Sequence, residues 1–249
     1  MLRNWPNPLV IAHRGASNQA PENTIAAFNL AKEFKADAVE FDVKLSADRH
    51  VVIIHDSTVD RTTDGTGKVA DLSLAEIKKL DAGRKFNDHF SGERIPTLRE
   101  VFELFGDQLR MNVELTNYMS PMDGLVYEVI KLIKEFSLQK TIIFSSFYPR
   151  NLKIAGRLLP EIPSGLLIFP GWLGWISRHI TRNKIYQALH PHINDVNDRL
   201  ITHVHSQDKR IHVWTVNDEM RMKELLKLDV DGIFTDNPKL LRSLVEKNK

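Results

Sequence analysis

Short apolar runs alternating with helical segments constrain this chain more than any other feature. The runs lie at 9–12, 39–43, 51–54, 111–115, 141–144, 164–169, 211–215 and 231–235. Most are followed by a stretch with apolar residues at helical spacing. Such alternation gives parallel βα units, because a parallel neighbour is reached only through a crossover connection. Eight strands within 249 residues predict a closed (β/α)8 TIM barrel over an open sheet, since such barrels use about 250 residues.

The punctuation agrees. Pro21-Glu22-Asn23-Thr24 opens a helix, with Asn23 or Thr24 as its N-cap and Ile25, Phe28, Leu30 and Ala31 on its apolar face. Pro238 starts the last helix where a missing N–H costs nothing. The rhythm breaks at about 57–96, where Thr62-Thr63-Asp64-Gly65-Thr66-Gly67 is turn chemistry and Ser73 caps a short helix. This reads as a small insertion after an early strand, within a single barrel domain spanning 1–249.

Composition excludes several classes. There is no cysteine, so thiolate catalysis is out and any metal is held by nitrogen and oxygen. A net charge of +2 does not point to a nucleic-acid partner. No apolar run approaches the ~18 residues of a membrane span, and the N-terminus lacks the apolar core of a signal peptide. A cytoplasmic location is expected.

In barrels of this kind the working residues sit at the C-terminal ends of the strands. His13, Arg14, Glu40, Asp42, His55, Glu114, Ser145, Trp214 and Asp236 all fall there. Glu40 and Asp42 alternate with Val39, Phe41 and Val43, which puts both carboxylates on one face of a strand. Alone, that pattern reads as an amphipathic strand with a solvated acidic face. Joined by Glu114 it predicts an oxygen-rich site for one divalent cation, Mg2+ or Ca2+. His13 and His55 are the expected acid–base pair, because imidazole titrates near neutral pH. Arg14 offers a charged fork for phosphate. Phe147 and Trp214, at the C-terminal ends of their strands, join Arg14 as expected substrate contacts. Each residue alone has a plainer reading, as a capped histidine, a surface arginine or a structural ion-pair partner. Their joint placement favours the site.

These residues also resemble a known family. His13-Arg14-Gly15, Pro21-Glu22-Asn23-Thr24, Glu40-Phe41-Asp42-Val43 and His55-Asp56 are similar to the N-terminal signature of glycerophosphodiester phosphodiesterases. Asp60-Arg61-Thr62-Thr63, Gly65-Thr66-Gly67, Ile95-Pro96-Thr97-Leu98, Asn112-Val113-Glu114-Leu115, Trp214-Thr215-Val216-Asn217 and the stretch from Asp231 to Pro238 extend the likeness over essentially the whole chain. The resemblance implies metal-dependent hydrolysis of a glycerophosphodiester to sn-glycerol 3-phosphate and an alcohol. It implies Glu40, Asp42 and Glu114 as metal ligands and His13 and His55 as acid and base. It also implies attack by the glycerol 2-hydroxyl and a cyclic phosphate that water opens. One departure stands out. Many members carry lysine two residues after the third carboxylate, and this chain has Thr116. Lys44 or Arg14 is expected to compensate.

Residues 169–184 are unusual. Trp172, Leu173, Trp175 and Ile176 precede Arg178, Arg182 and Lys184, the pattern of an interfacial segment at the barrel mouth. The alternative is that these aromatics pack on the barrel's own helices or on a second subunit. Peripheral membrane contact through 169–184 would bring a second activity within reach, a lysophospholipase D acting on lysophospholipids. A non-catalytic phosphodiester- or lipid-binding barrel is the reading from another class.

Overall fold

The computed structural model describes residues 2, 5–172, 174 and 185–247. Strand β1 (Leu9–His13) is buried except at His13, because it runs up the middle of the molecule and surfaces only at its C-terminal end. It pairs in parallel with β2 (Ala38–Leu45) on one side and with β9 (Gly232–Thr235) on the other. From β2 the ring continues in parallel through β4 (Arg110–Leu115), β5 (Ile142–Ser146), β6 (Ser164–Ile168), β7 (Ala188–Pro191) and β8 (Arg210–Val213), and back to β9. The ring is therefore a closed eight-stranded parallel barrel.

Two strands correct the sequence reading. The run at 51–54 is β3 (Val51–Ile53), which pairs antiparallel with the end of β2 and stays outside the ring. The place it was given belongs to β7, whose Ala-Leu-His-Pro is too short and too polar to signal a buried strand. The chain thus leaves the barrel after Leu45 and returns at Leu98. That excursion carries its own apolar cluster of Val52, Ile54, Val59, Val69, Ile77, Ala82 and Ile95.

Helices cover the outside. Thr24 caps α1 (Ile25–Glu33) by accepting from the Ala27 N–H. Ser73 and Glu76 form a capping box on α2 (Leu74–Ile77), as do Thr97 and Glu100 on α3 (Leu98–Phe105). The others are α4 (Leu125–Phe136), α5 (Pro149–Leu158), α6 (Asp198–His205), α7 (Glu219–Lys227) and α8 (Pro238–Lys247). They pack on the outward faces of the strands, where Phe28, Phe41, Val113, Phe144 and Ile133 are fully buried. Each such side chain contributes about 1.5–3 kcal/mol relative to exposure. Gly15, at φ +86°, lets the β1–α1 loop rest on Ala27; a Cβ there would come within 2.6 Å of it.

The barrel interior holds a polar pair. His190 on β7 and His212 on β8 are buried, with His212 Nδ1 3.1 Å from His190 Nε2. Phe234 packs edge-on against His190, and Gly165 leaves the room its ring occupies. Burial pushes both imidazoles down, His190 well below the usual range and His212 to about 4.

Candidate active site

Three carboxylates meet at the mouth of the barrel. Glu40 and Asp42 stand two apart on β2, and Asp42 is the register partner of Glu114 on β4. One oxygen from each lies within 4.8 Å of the others. Among the described residues no other set of three histidine or acidic side chains comes so close. Glu40 and Asp42 are 2% and 1% exposed, so water screens neither.

Three acids this close and this dry do not all ionise at once. Burial, then the charges of Asp42 and Glu114, push Glu40 well above the ordinary range. Burial and Asp42 raise Glu114 to about 8, although the Tyr118 hydroxyl donates to it at 2.8 Å. Asp42 moves the other way. Burial would raise it, but Arg14 at 3.3 Å outweighs that, aided by His55 and by a hydrogen bond of 3.0 Å from the Asn23 amide. Glu40 Oε1 is left buried with no partner. A cluster short of positive charge, with an orphaned carboxylate oxygen, fits a hard divalent cation.

The two histidines reach the cavity from different pieces of chain. His13 ends β1, and its Nδ1 lies 2.7 Å from Asp236 Oδ1. Its Nε2 is 3.9 Å from Glu40. Ser17 and Asn217 also donate to Asp236. Burial alone would raise Asp236, but His13, then Asn217 and Ser17, hold it at about 2. His55 follows β3, so it belongs to the excursion and not to a barrel strand. Its Nδ1 lies 2.6 Å from Asp56 Oδ1. Arg61 donates to Asp56 at 2.6 Å and, with both terminal nitrogens, to Glu22. Hydrogen bonds from Arg61 and then His55 hold Asp56 at about 2. Glu22 in turn accepts from Arg14 at 3.0 Å. Each imidazole thus has a carboxylate behind it and a ring nitrogen to offer.

A cavity of about 110 Å³ lies between them, bounded by His13, His55, Glu40, Glu114, Phe147 and Trp214, with Arg14 at its edge. Phe147 stacks on Phe169 at 4.3 Å and meets Trp214 edge-on. The Trp214 indole donates to the His190 carbonyl, which fixes its plane. Arg14 is less free than a phosphate fork should be. It sits at φ 55°, its N–H donates to Glu40, and its guanidinium is shared between Glu22 and Asp42. A lysine on the neighbouring strand stands beside Thr116. Lys44 Nζ donates to Thr116 O at 2.9 Å and to Thr116 Oγ1 at 3.0 Å. Asp42 and Glu114 are the acids that bear most on Lys44.

Several partners were not singled out from the sequence for a role. In the sequence Asp236 reads only as a strand-end residue, and Asp56 only as part of a motif. Tyr118 sits in a loop with no pattern to flag it. The interfacial expectation for Leu173, Trp175, Ile176, Arg178, Arg182 and Lys184 falls on 173 and 175–184, outside the described residues. Before them, Phe169 and Trp172 are 47% and 71% exposed. No helix among the described residues is long and apolar enough to cross a membrane.

Comparison with known proteins agrees with this geometry. Residues 13–240 match the glycerophosphoryl diester phosphodiesterase family. A glycerophosphodiester phosphodiesterase of Caldanaerobacter subterraneus is 44% identical, over 96% of this chain and 98% of its own. One from Bacillus altitudinis is 34% identical over 92% and 94%. Among solved structures, a phosphodiesterase of Oleispira antarctica in complex with the product sn-glycerol-3-phosphate superposes with a TM-score of 0.81. It is 34% identical, and the match covers 96% of this chain and 97% of that one. The barrel, its acidic mouth and these matches place the chain in the glycerophosphodiester phosphodiesterase family.

Proposed function

We propose that this glycerophosphodiester phosphodiesterase releases sn-glycerol 3-phosphate and an alcohol with one divalent cation, Mg2+ or Ca2+. Glu40, Asp42 and Glu114 would hold the ion, and His13 and His55 would move the protons. The observation that carries the reading is the dry triad of acids, two with raised pKa and one with an unpartnered oxygen, set between two carboxylate-backed histidines. The product held by the Oleispira relative supports the choice of substrate class.

A bound cation supplies charge that neutralises a phosphoryl oxygen as the transition state gains negative charge. The chain's own residues do the rest. One imidazole takes the proton of the attacking hydroxyl, and the other gives a proton to the departing alcohol oxygen. Asp236 and Asp56 hold the rings in place through Nδ1. With the glycerol 2-hydroxyl as nucleophile, its oxygen bonds to phosphorus while the bond to the alcohol breaks. Water then opens the cyclic phosphate. A substrate lacking the 2-hydroxyl should be inert, and its turnover at the normal rate would remove that step.

The direct test is release of sn-glycerol 3-phosphate from glycerophosphocholine with Mg2+, Ca2+ or EDTA. Turnover abolished by EDTA and by Glu40→Ala is expected; turnover that survives both would sink the reading. A second substrate is favoured by one observation. Met119, Met122, Tyr148, Phe169 and Trp172 are exposed apolar residues on the loops after β4, β5 and β6. An apolar rim there suits an acyl chain, so choline release from lysophosphatidylcholine, and binding to liposomes, are measured alongside.

A further inference from the structure

One polar group in the cavity has no part in the chemistry above. Asn112 precedes Glu114 by two residues on β4 and is the register partner of Glu40. It is 1% exposed and lines the cavity together with Ser145. Its Nδ2 donates to Ser145 Oγ at 2.6 Å. Its Oδ1 is buried with no partner. An amide oxygen left dry and unpaired is destabilising, and native structures keep few of them. Asn112 carries no charge, so it cannot balance the acids or move a proton.

Depth indicates what Asn112 meets. Two residues span about 6.6 Å along a strand, so it lies one side-chain layer below Glu114. A phosphate within reach of His13 and His55 must sit at the strand ends. Of the two arms of the diester, the departing alcohol needs a path to solvent, so the glycerol would be the arm that extends downward, with its terminal hydroxyl at the far end. Leu167, Phe234 and Trp214 offer apolar walls for the carbon chain. A hydroxyl both donates and accepts, as does an amide edge, so the pairing survives either orientation of the amide.

We propose that Asn112, oriented by Ser145, is a specificity-determining residue that binds the terminal hydroxyl of the substrate's glycerol. The inference rests on the glycerophosphodiester reading above and adds which hydroxyl the enzyme recognises. It makes the enzyme reject the 1-deoxy analogue, a propane-1,2-diol phosphodiester. That analogue keeps the 2-hydroxyl but leaves the amide edge unpaired.

The test is kcat/KM for glycerophosphocholine and for its 1-deoxy analogue, in the wild type and in Asn112→Leu and Ser145→Ala. The wild type should prefer the glycerol substrate by roughly 100-fold or more, because a site built around a hydroxyl penalises its loss. In Asn112→Leu the ratio should collapse to about threefold or less, through loss on the glycerol substrate. Ser145→Ala should fall between the two and serves if the leucine variant does not fold. Calorimetric Mg2+ or Ca2+ affinity should be unchanged in both variants. A wild-type ratio near one, a ratio unmoved by both substitutions, or weakened cation binding in Asn112→Leu overturns the inference and leaves the glycerophosphodiesterase reading standing. Failure of the wild type to turn over either diester overturns both.

Discussion

Two buried polar layers lie within one barrel and meet the cost of burial in opposite ways. At the mouth, Glu40, Asp42 and Glu114 are acids forced together, and the raised pKa values of Glu40 and Glu114 reflect an unresolved shortage of positive charge. One layer away, His190 and His212 resolve theirs by giving up charge and pairing ring to ring. The histidine pair leaves His190 Nδ1 without a partner but carries no charge to balance, whereas the acidic mouth is short of positive charge. The pH dependences follow with opposite signs. Without cation, Glu114 favours the fold fully below its ordinary 4.5, and that contribution is lost as pH rises through about 8. His212 favours the fold above its ordinary 6.5, and that contribution is lost as pH falls toward 4.

The contrast can be broken hardest at Glu40. Glu40→Gln should lower kcat/KM at least about 1,000-fold and abolish cation binding, since the ion's charge stabilisation is lost. It should also raise the melting temperature of the metal-free protein at pH 8, because the cost of keeping Glu40 protonated among buried acids is gone. A lower melting temperature would show that the triad is not under charge strain. Next comes acid stability. The displacement of His212 from 6.5 to about 4 corresponds to about 3 kcal/mol lost on going from pH 7 to below 4. Imidazole nitrogen shifts measured by NMR should show His190 and His212 neutral at pH 5.5, and a charged signal from either would end the contrast.

Smaller effects sharpen it. Asp236→Asn should reduce kcat about 100-fold with little change in KM, by turning His13 to the wrong tautomer. An equal loss through KM would assign Asp236 to binding. The smallest expected effect is at Lys44. Lys44→Thr should raise KM about tenfold by removing a phosphate-attracting charge beside the acids. Adding Thr116→Lys should restore it, because the cation then returns from the adjacent strand. No rescue would mean that Lys44 is tied to its own strand and not to the charge of the site.

The sequence made the mouth legible and the interior nearly illegible. Glu40, Asp42, Glu114 and His13 could be read because they end apolar runs, where strand parity fixes direction. His55 was found for a related reason, although its apolar run is not a barrel strand. The expected number of strands was right with one member wrong. β3 has the apolar pattern of a core strand but packs on the edge of β2, whereas β7 belongs to the ring with a histidine and a proline in four residues. Nothing local distinguishes His190, buried and neutral, from a surface histidine. The supports of the site were hidden for another cause. Asp236 lies 223 residues from His13, and Lys44 lies 72 from Thr116. Closure of the ring between β1 and β9 joins the first pair, and pairing of β2 with β4 joins the second.

The position of His55 outside the ring bears on how such a site comes into being. The barrel by itself supplies every carboxylate of the triad and one imidazole. The second arrives on a separate lobe with its own apolar cluster, clasped to the rim where Arg61 bridges Asp56 and Glu22. On the mechanism proposed above, the barrel alone would hold the cation, whereas proton transfer would need an imidazole from each portion of the polypeptide. The Arg61 clasp is then what completes the acid–base pair.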